Sequence, residues 1–325
     1  MKRLLAAFLA STAALLATPG AAAGDYPDRP IRLIMPFSPG GPTDMVARVL
    51  AQHAGQRLGQ TIIVENRPGA NGIIGTGAVA SAPPDGYTLL LAPTSHTINP
   101  SLYKKLPYDT VRDFASVIYV GNSPGLVLVV GNQVPAQSVQ ELIELTKKPG
   151  ASVAYGSAGN GNLLHLAGEY FNRATGARML HVPYKGAGAI IAGLYSGEIQ
   201  AAFLGPPQAA ELIQGGKLRG LAVTSPKRIP QLPQLPTIAE SGFPGYDFDG
   251  GIQAAIYAPA GTPPAILAKL NEAFNAVLKE PEIRDRFATL ALDIAGGPPS
   301  VLDKQVATRM ALYAGLVRQA GIEPE

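Results

Sequence analysis

Cysteine is absent from all 325 residues. Disulfides, thiolate nucleophiles and cysteine-held metals are therefore excluded, and a fold exported to an oxidising compartment must rest on its core alone. A lipid anchor on a cysteine after an export signal is excluded as well. Tryptophan is also missing, and aromatic residues make up 6 % of the chain. The four histidines are His53, His96, His165 and His181. None pair at i, i+4 on an expected helix, so no metal site is expected. Charge is sparse: 26 basic against 23 acidic residues give a formal net charge of +3. Nucleic-acid binding favours clustered Lys and Arg, so no nucleic-acid partner is expected. Beyond the N-terminal segment, no apolar run reaches the roughly 20 residues a membrane-spanning helix needs.

What is present begins with Lys2 and Arg3, followed by an apolar run from Leu4 to Leu16. Pro19 and Gly20 break it, and Ala21-Ala22-Ala23 precedes Gly24. This is the layout of a secretory signal peptide, residues 1–23, and implies export to the periplasm. The run is short for a membrane anchor. Without it the chain is near neutral and, at roughly 300 residues, too long for one core, so two domains are expected.

Strand-like and helix-like segments alternate. Strands are expected at Ile31–Met35, Thr61–Val64 and Tyr87–Leu91, with helices at Asp44–Leu58 and Gly75–Ser81 between them. This βαβαβ order predicts an α/β fold with a parallel sheet and helices on both faces. A second unit repeats it. Its strands are Leu126–Val130, Val153–Tyr155, Met179–Val182, Ile199–Phe203 and Arg219–Thr224. Its helices are Ser138–Lys147, with Ser138 as cap, Asn162–Thr175, Ala187–Ser196 and Ala209–Gln214. The remainder offers a strand at Gln253–Tyr257 and helices at Pro264–Lys279 and Ser300–Ala320. This leftover segment is expected to return to the first domain. The assignment is 24–122 and 247–325 for domain 1 and 123–246 for domain 2, with hinge crossings at Gly121–Gly125 and Phe243–Gly250.

Ligands of open α/β sheets bind at the carboxyl ends of the strands. The loop Pro36-Phe-Ser-Pro-Gly-Gly-Pro-Thr-Asp44 lies there, between strand and helix. Gly40 and Gly41 permit close backbone approach, Thr43 or Asp44 is placed to cap the helix, and the helix start favours an anion. An ordinary glycine-rich turn would read the same way. Tyr155-Gly-Ser-Ala-Gly-Asn-Gly-Asn162 occupies the equivalent place in the second unit, which strengthens both readings. Thr94-Ser95-His96 and Pro183-Tyr-Lys-Gly186 are further candidates, with Lys185 either adding positive charge or solvated.

Enzyme motifs fail on inspection. Tyr155 stands where the first glycine of G-x-S-x-G would be around Ser157. Ser101-Leu-Tyr-Lys104 lacks its companion motifs. Gly75-Thr-Gly-Ala-Val-Ala80 lacks the acidic residue about 20 positions on that a dinucleotide site needs. No phosphate loop occurs, and no cofactor is expected. His165, one turn inside a helix, reads as structural rather than as a base.

Several ordered stretches resemble one family. They are Tyr26-Pro-Asp-Arg-Pro30, Pro36 to Asp44, Val64-Glu-Asn-Arg-Pro-Gly69, Pro84-Asp-Gly-Tyr-Thr-Leu-Leu90, Tyr155-Gly-Ser-Ala-Gly159, His181-Val-Pro-Tyr-Lys-Gly186, Leu221-Ala-Val-Thr-Ser225 and Ala258-Pro-Ala-Gly-Thr-Pro263. Together they resemble the Bug family, the extracytoplasmic solute receptors of tripartite tricarboxylate transporters, across essentially the whole mature chain. The resemblance implies a periplasmic-binding-protein fold of the type II, Venus-flytrap kind, with two crossing hinge strands. It implies a ligand carboxylate held mainly by backbone amides and ordered waters. Carried over, the first-domain contacts are Phe37, Pro39, Gly40, Gly41, Pro42, Thr43, Asp44, Thr94 and Ser95. The second-domain contacts are Ser157, Ala158, Gly159, Asn160, Asn162, Lys185, Gly186 and Gly205.

Two departures stand out. Family members often carry Phe-Asp where this chain has Phe203-Leu204, and many carry a tryptophan where Ile252 stands. The expected function is a monomeric, non-enzymatic receptor that captures a small organic acid (a di- or tricarboxylate, or an aromatic or hydroxy acid) and serves a membrane permease. The alternative is a secreted α/β hydrolase of a small carboxylate or ester.

Overall fold

The computed structural model describes residues 26–246, 248 and 251–324. The expected signal peptide lies outside them. The first lobe opens with Ile31–Met35 (β1), Pro42–Leu58 (α1), Ile62–Asn66 (β2), Ile73–Ala80 (α2), Thr88–Ala92 (β3), Ser95–Leu102 (α3) and Phe114–Asn122 (β4). The second holds Val127–Gly131 (β5), Val139–Lys147 (α4), Ala154–Ser157 (β6), Leu163–Thr175 (α5), Leu180–Pro183 (β7), Ala187–Ser196 (α6), Ala201–Leu204 (β8), Pro206–Gln214 (α7) and Leu218–Val223 (β9). Gln253–Pro259 (β10), Pro264–Leu278 (α8), Pro281–Thr289 (α9), Asp293–Ile294 (β11) and Pro299–Ala320 (α10) follow.

The central strands read as apolar runs because both faces of the sheet are covered there, whereas the edge strands β2 and β7 are mostly half-buried or exposed. β5 is buried at every position. Among the described residues, one sheet has the order β11-β4-β10-β3-β1-β2 and the other β7-β6-β8-β5-β9. Neither is wholly parallel, which corrects the expectation. β1 runs parallel to β2 and β3, but β10 lies antiparallel to β3 and β4. β6 runs parallel to β7 and β8, and β5 antiparallel to β8 and β9. The cause is the chain path: it leaves the first sheet on β4 and returns beside it on β10, so the two run in opposite directions. β4, α3 and α9 are elements the sequence reading did not assign. In β4, Ala115, Ser116, Gly121 and Asn122 dilute the apolar run.

The crossings are tied to each other. The Ser123 amide donates to the Ile252 carbonyl at 2.8 Å, and the Ile252 amide donates to Ser123 Oγ at 2.9 Å. Gly251 permits this contact, since a Cβ there would lie 1.7 Å from the Ser123 carbonyl oxygen. The expected hinge at Gly121–Gly125 coincides with the first crossing. The other, Phe243–Gly250, includes positions outside the described residues.

β10 and β11 return to the first sheet, but α10 does not stay with it. Leu302 and Val306 pack with Ile34, Leu90 and Tyr257 of the first lobe. Tyr313, Leu316 and Val317 pack with Leu128, Tyr155 and Phe171 of the second. A helix of 22 residues, at 1.5 Å per residue, is long enough to reach both cores. The assignment of all of 247–325 to the first lobe is corrected accordingly.

Candidate functional site

The parallel strands β1, β3, β6, β7 and β8 each run into the N-terminus of a helix: α1, α3, α5, α6 and α7. Four of these helix starts, at Gly41, Thr94, Gly186 and Gly205, carry no side-chain cap. No capping side chain takes up their amides. Pro42, Pro206 and Pro207 have no N–H to offer, and the His96 and Thr97 amides of α3 already bond the Pro93 and Thr94 carbonyls, but the positive helix ends remain available to an anion. The fifth, α5, is capped by Asn162, whose Oδ1 accepts from the Leu164 amide at 2.9 Å.

In the first lobe, the expected capping of α1 by Thr43 or Asp44 is not what forms. Gly41 is the N-cap residue, and Asp44 reaches back to accept from the Gly40 amide at 3.0 Å. Asp44 is 2 % exposed and also accepts from Arg48 Nε at 2.9 Å and Asn66 Nδ2 at 2.9 Å. Burial alone would raise its pKa, but the hydrogen bonds from Arg48, Asn66 and Gly40 outweigh it and hold the carboxyl below the ordinary aspartate value. Asn66 donates as well to the Phe37 carbonyl at 2.9 Å. The loop from Phe37 to Asp44 is therefore fastened at both ends by a residue outside the candidate list. Its sequence signal was the Val64–Gly69 stretch.

Gly40 has a left-handed φ of +91°, whereas Gly41 has an ordinary backbone. A Cβ on either would meet nothing within 4 Å, so this backbone faces open space. Ser95 lies beside Phe37, both against the Gly72 turn. Thr94 is committed elsewhere: its hydroxyl donates to the Gly251 carbonyl at 3.1 Å and accepts from the Gln253 amide at 2.8 Å. It joins the α3 start to the returning strand.

In the second lobe, Ser157 is fully buried. Its hydroxyl lies 2.5 Å from His181 Nε2, 3.0 Å from the Gly159 carbonyl and 3.2 Å from the Gly159 amide. It therefore shapes the loop rather than facing the cleft. Gly159 and Gly186 present open backbone, and Asn160 and Lys185 are exposed. Ser157–His181 is a serine–histidine contact, but no carboxylate bonds His181 among the described hydrogen bonds, and the hydroxyl is inaccessible. Among the described residues, no hydrogen bond gives His181 the orienting acid that a hydrolytic triad uses.

The lobes meet at an apolar recess lined by Thr43 and Val46 from α1, Pro206 and Pro207 from α7, Ser123 and Ile252 from the crossings, and Ala254, Leu290 and Leu292. A Cβ on Gly205 would lie 3.2 Å from Ile252 Cδ1. Leu204, where relatives often carry an acid, is 1 % exposed and part of the core. The α1 and α7 starts thus face each other across the crossings. Pro206, Pro207, Ser123 and Ile252 are lining residues absent from the candidate list.

The chain is similar to several known proteins. A family model for the tripartite tricarboxylate transporter family receptor matches residues 46–321. BugT of Bordetella pertussis is 38 % identical over 319 residues, covering 96 % of this chain and 97 % of BugT. The solved periplasmic binding protein BugD matches with a TM-score of 0.84 at 35 % identity, covering 92 % of this chain and 100 % of BugD. R. palustris Rpa4515 with adipate matches at 0.86 and 33 % identity, covering 93 % of this chain and 100 % of that one. MatC from Rhodopseudomonas palustris with bound malate matches at 0.81 and 29 % identity, covering 90 % and 100 %. The two-lobed periplasmic-binding-protein fold expected from the sequence is borne out.

Proposed function

The chain belongs to the tripartite tricarboxylate transporter receptor family, and on that premise we propose that it holds a small organic carboxylate between its lobes in the periplasm and hands it unchanged to a membrane permease. The observation that carries this reading is the set of helix starts at Gly41, Thr94, Gly186 and Gly205, free of side-chain caps at the carboxyl ends of parallel strands in two facing lobes. Uncapped amides and helix dipoles favour an anion. Two relatives were solved with the dicarboxylates adipate and malate, and a diacid suits lobes that each offer such helix starts.

The proposed contacts are the backbone of Pro39 to Thr43, Gly159, Asn160 and Gly186, together with Phe37, Ser95, Ala158, Lys185 and Gly205. Asp44, Thr94, Ser157 and Asn162 shape the loops around them. The mature receptor begins after residue 23 and acts as a monomer. Native mass spectrometry of freshly purified protein tests the reading: a small acid is expected at one per chain, and intact mass gives the cleavage site. Prolonged incubation with that acid is expected to return it unaltered. An altered product would favour an enzyme.

A further inference from the structure

We propose that His165 and His181 are positioning residues of the second-lobe ligand loop: a stacked imidazole pair that pins the turn from Ser157 to Gly161 and lets it go when His165 takes up a proton. The effect on ligand rests on the receptor reading; the effect on the loop does not.

The two rings stack with centroids 3.8 Å apart and planes 15° from parallel. Each is tied to a different end of the same turn. His181, on β7, meets Ser157 Oγ through Nε2 at 2.5 Å, and that hydroxyl also bonds the Gly159 backbone. His165, on the first turn of α5, accepts from the Gly161 amide through Nδ1 at 3.0 Å. An imidazole nitrogen that accepts cannot carry a proton. The Gly161 bond therefore requires neutral His165 with its hydrogen on Nε2. His181 meets Ser157 equally well as a neutral Nε2–H donor, so His165 is the sensitive member.

The surroundings favour neutrality. Tyr155 lies beneath, its hydroxyl donating to Glu169 Oε1 at 2.7 Å and approaching the His165 carbonyl at 3.2 Å. Tyr103 and Glu323 share with His165 a cavity of about 270 Å³. α10, packed on α5, brings Tyr313 into the shared core. Tyr184 follows β7. Among the described hydrogen bonds, neither Glu169 nor Glu323 bonds an imidazole; Glu169 accepts from Tyr155 instead. Burial, and then the neighbouring His181, push His165 down to about 4, and burial lowers His181. Protonating His165 removes the acceptor of the Gly161 amide and places a cation against the second ring.

The test follows the Gly161 amide of ¹⁵N-labelled protein by NMR from about pH 7 to about pH 4. In the native protein its shift is expected to follow His165, and its exchange protection to fall with protonation. His165→Asn keeps an acceptor at the Nδ1 position and is expected to hold both constant. His165→Leu is expected to lose the protection at neutral pH. A pH-independent Gly161 amide, or full protection in His165→Leu, would overturn the proposal. Calorimetry with adipate and malate supplies the ligand arm. Binding is expected to weaken by up to about twofold more in native protein than in His165→Asn at about pH 4, where about half of His165 is protonated, a comparison that cancels titration of the ligand itself. Equal weakening in both proteins would show that the pair does not govern affinity. Failure of both acids to bind would count against the diacid reading of the cleft, while the Gly161 amide still decides the histidine pair.

Discussion

Ser123 and Ile252 hold each other by two hydrogen bonds, amide to carbonyl at 2.8 Å and amide to hydroxyl at 2.9 Å, where the chain crosses between lobes and returns. This pair is proposed as the axis about which the α1 and α7 starts close on a ligand. Ligand is expected to produce rigid-body closure, seen as a smaller radius of gyration by small-angle scattering. Because α10 is packed into both cores, the closure should be limited to a rotation that this helix tolerates. An unchanged radius with bound ligand would place the site within one lobe.

Gly41→Val separates backbone approach from folding. The Gly41 backbone is one that any residue adopts, and a Cβ there meets nothing in the protein. The variant should keep the thermal midpoint of the ligand-free protein within a degree or two. The added branches should nonetheless fill the space an anion needs. Ligand affinity is expected to fall at least about a hundredfold, roughly 2.7 kcal/mol; parent-like binding by calorimetry would mean the loop is merely a turn.

Asn66→Ala probes the fastening of the same loop. It strands the Phe37 carbonyl and removes one donor from a buried carboxylate, at a cost of about 1–3 kcal/mol, with weaker ligand binding as well. Denaturant unfolding and calorimetry report the two effects. Asp44 adds a pH signature. Its folded pKa is lowered, so its stabilising contribution is fully present above the ordinary value of 3.8 and disappears as pH falls through the lowered value. Asp44→Asn should remove that part of the acid-limb slope.

The ligand is expected to lack an amine. The proposed contacts contain no acid; Asp44 lies beside them, and its oxygens are filled by Gly40, Arg48 and Asn66. A buried ammonium without a partner is costly. In a thermal-shift panel, succinate should stabilise more than aspartate. At a hundredfold excess over Kd the gain is about 2.7 kcal/mol, readily detected. A larger shift with aspartate would sink this reading.

Much of the fold was legible in the chain. Apolar runs such as Ile31–Met35 and Val127–Gly131 announce strands because both sheet faces are covered. Gly59 and Gly176 stop helices in the left-handed conformation that glycine accepts freely. Ser138 caps α4 as its position suggests. The placing of glycine-rich loops between strands and helices marked the candidate ligand loops, because these properties depend on neighbours along the chain.

What tertiary structure alone decided are relations between distant residues. No local pattern tells that Asn66 fastens Phe37 and Asp44, that Ser157 spends its hydroxyl on His181, or that Thr94 bonds the returning strand. Nor does the stripe from Leu302 to Val317 say that its two halves enter different cores. Local sequence determines which backbone conformations are cheap; the pairing of polar groups buried from water is settled only when the lobes are assembled, since each must find whichever partner the fold brings within reach.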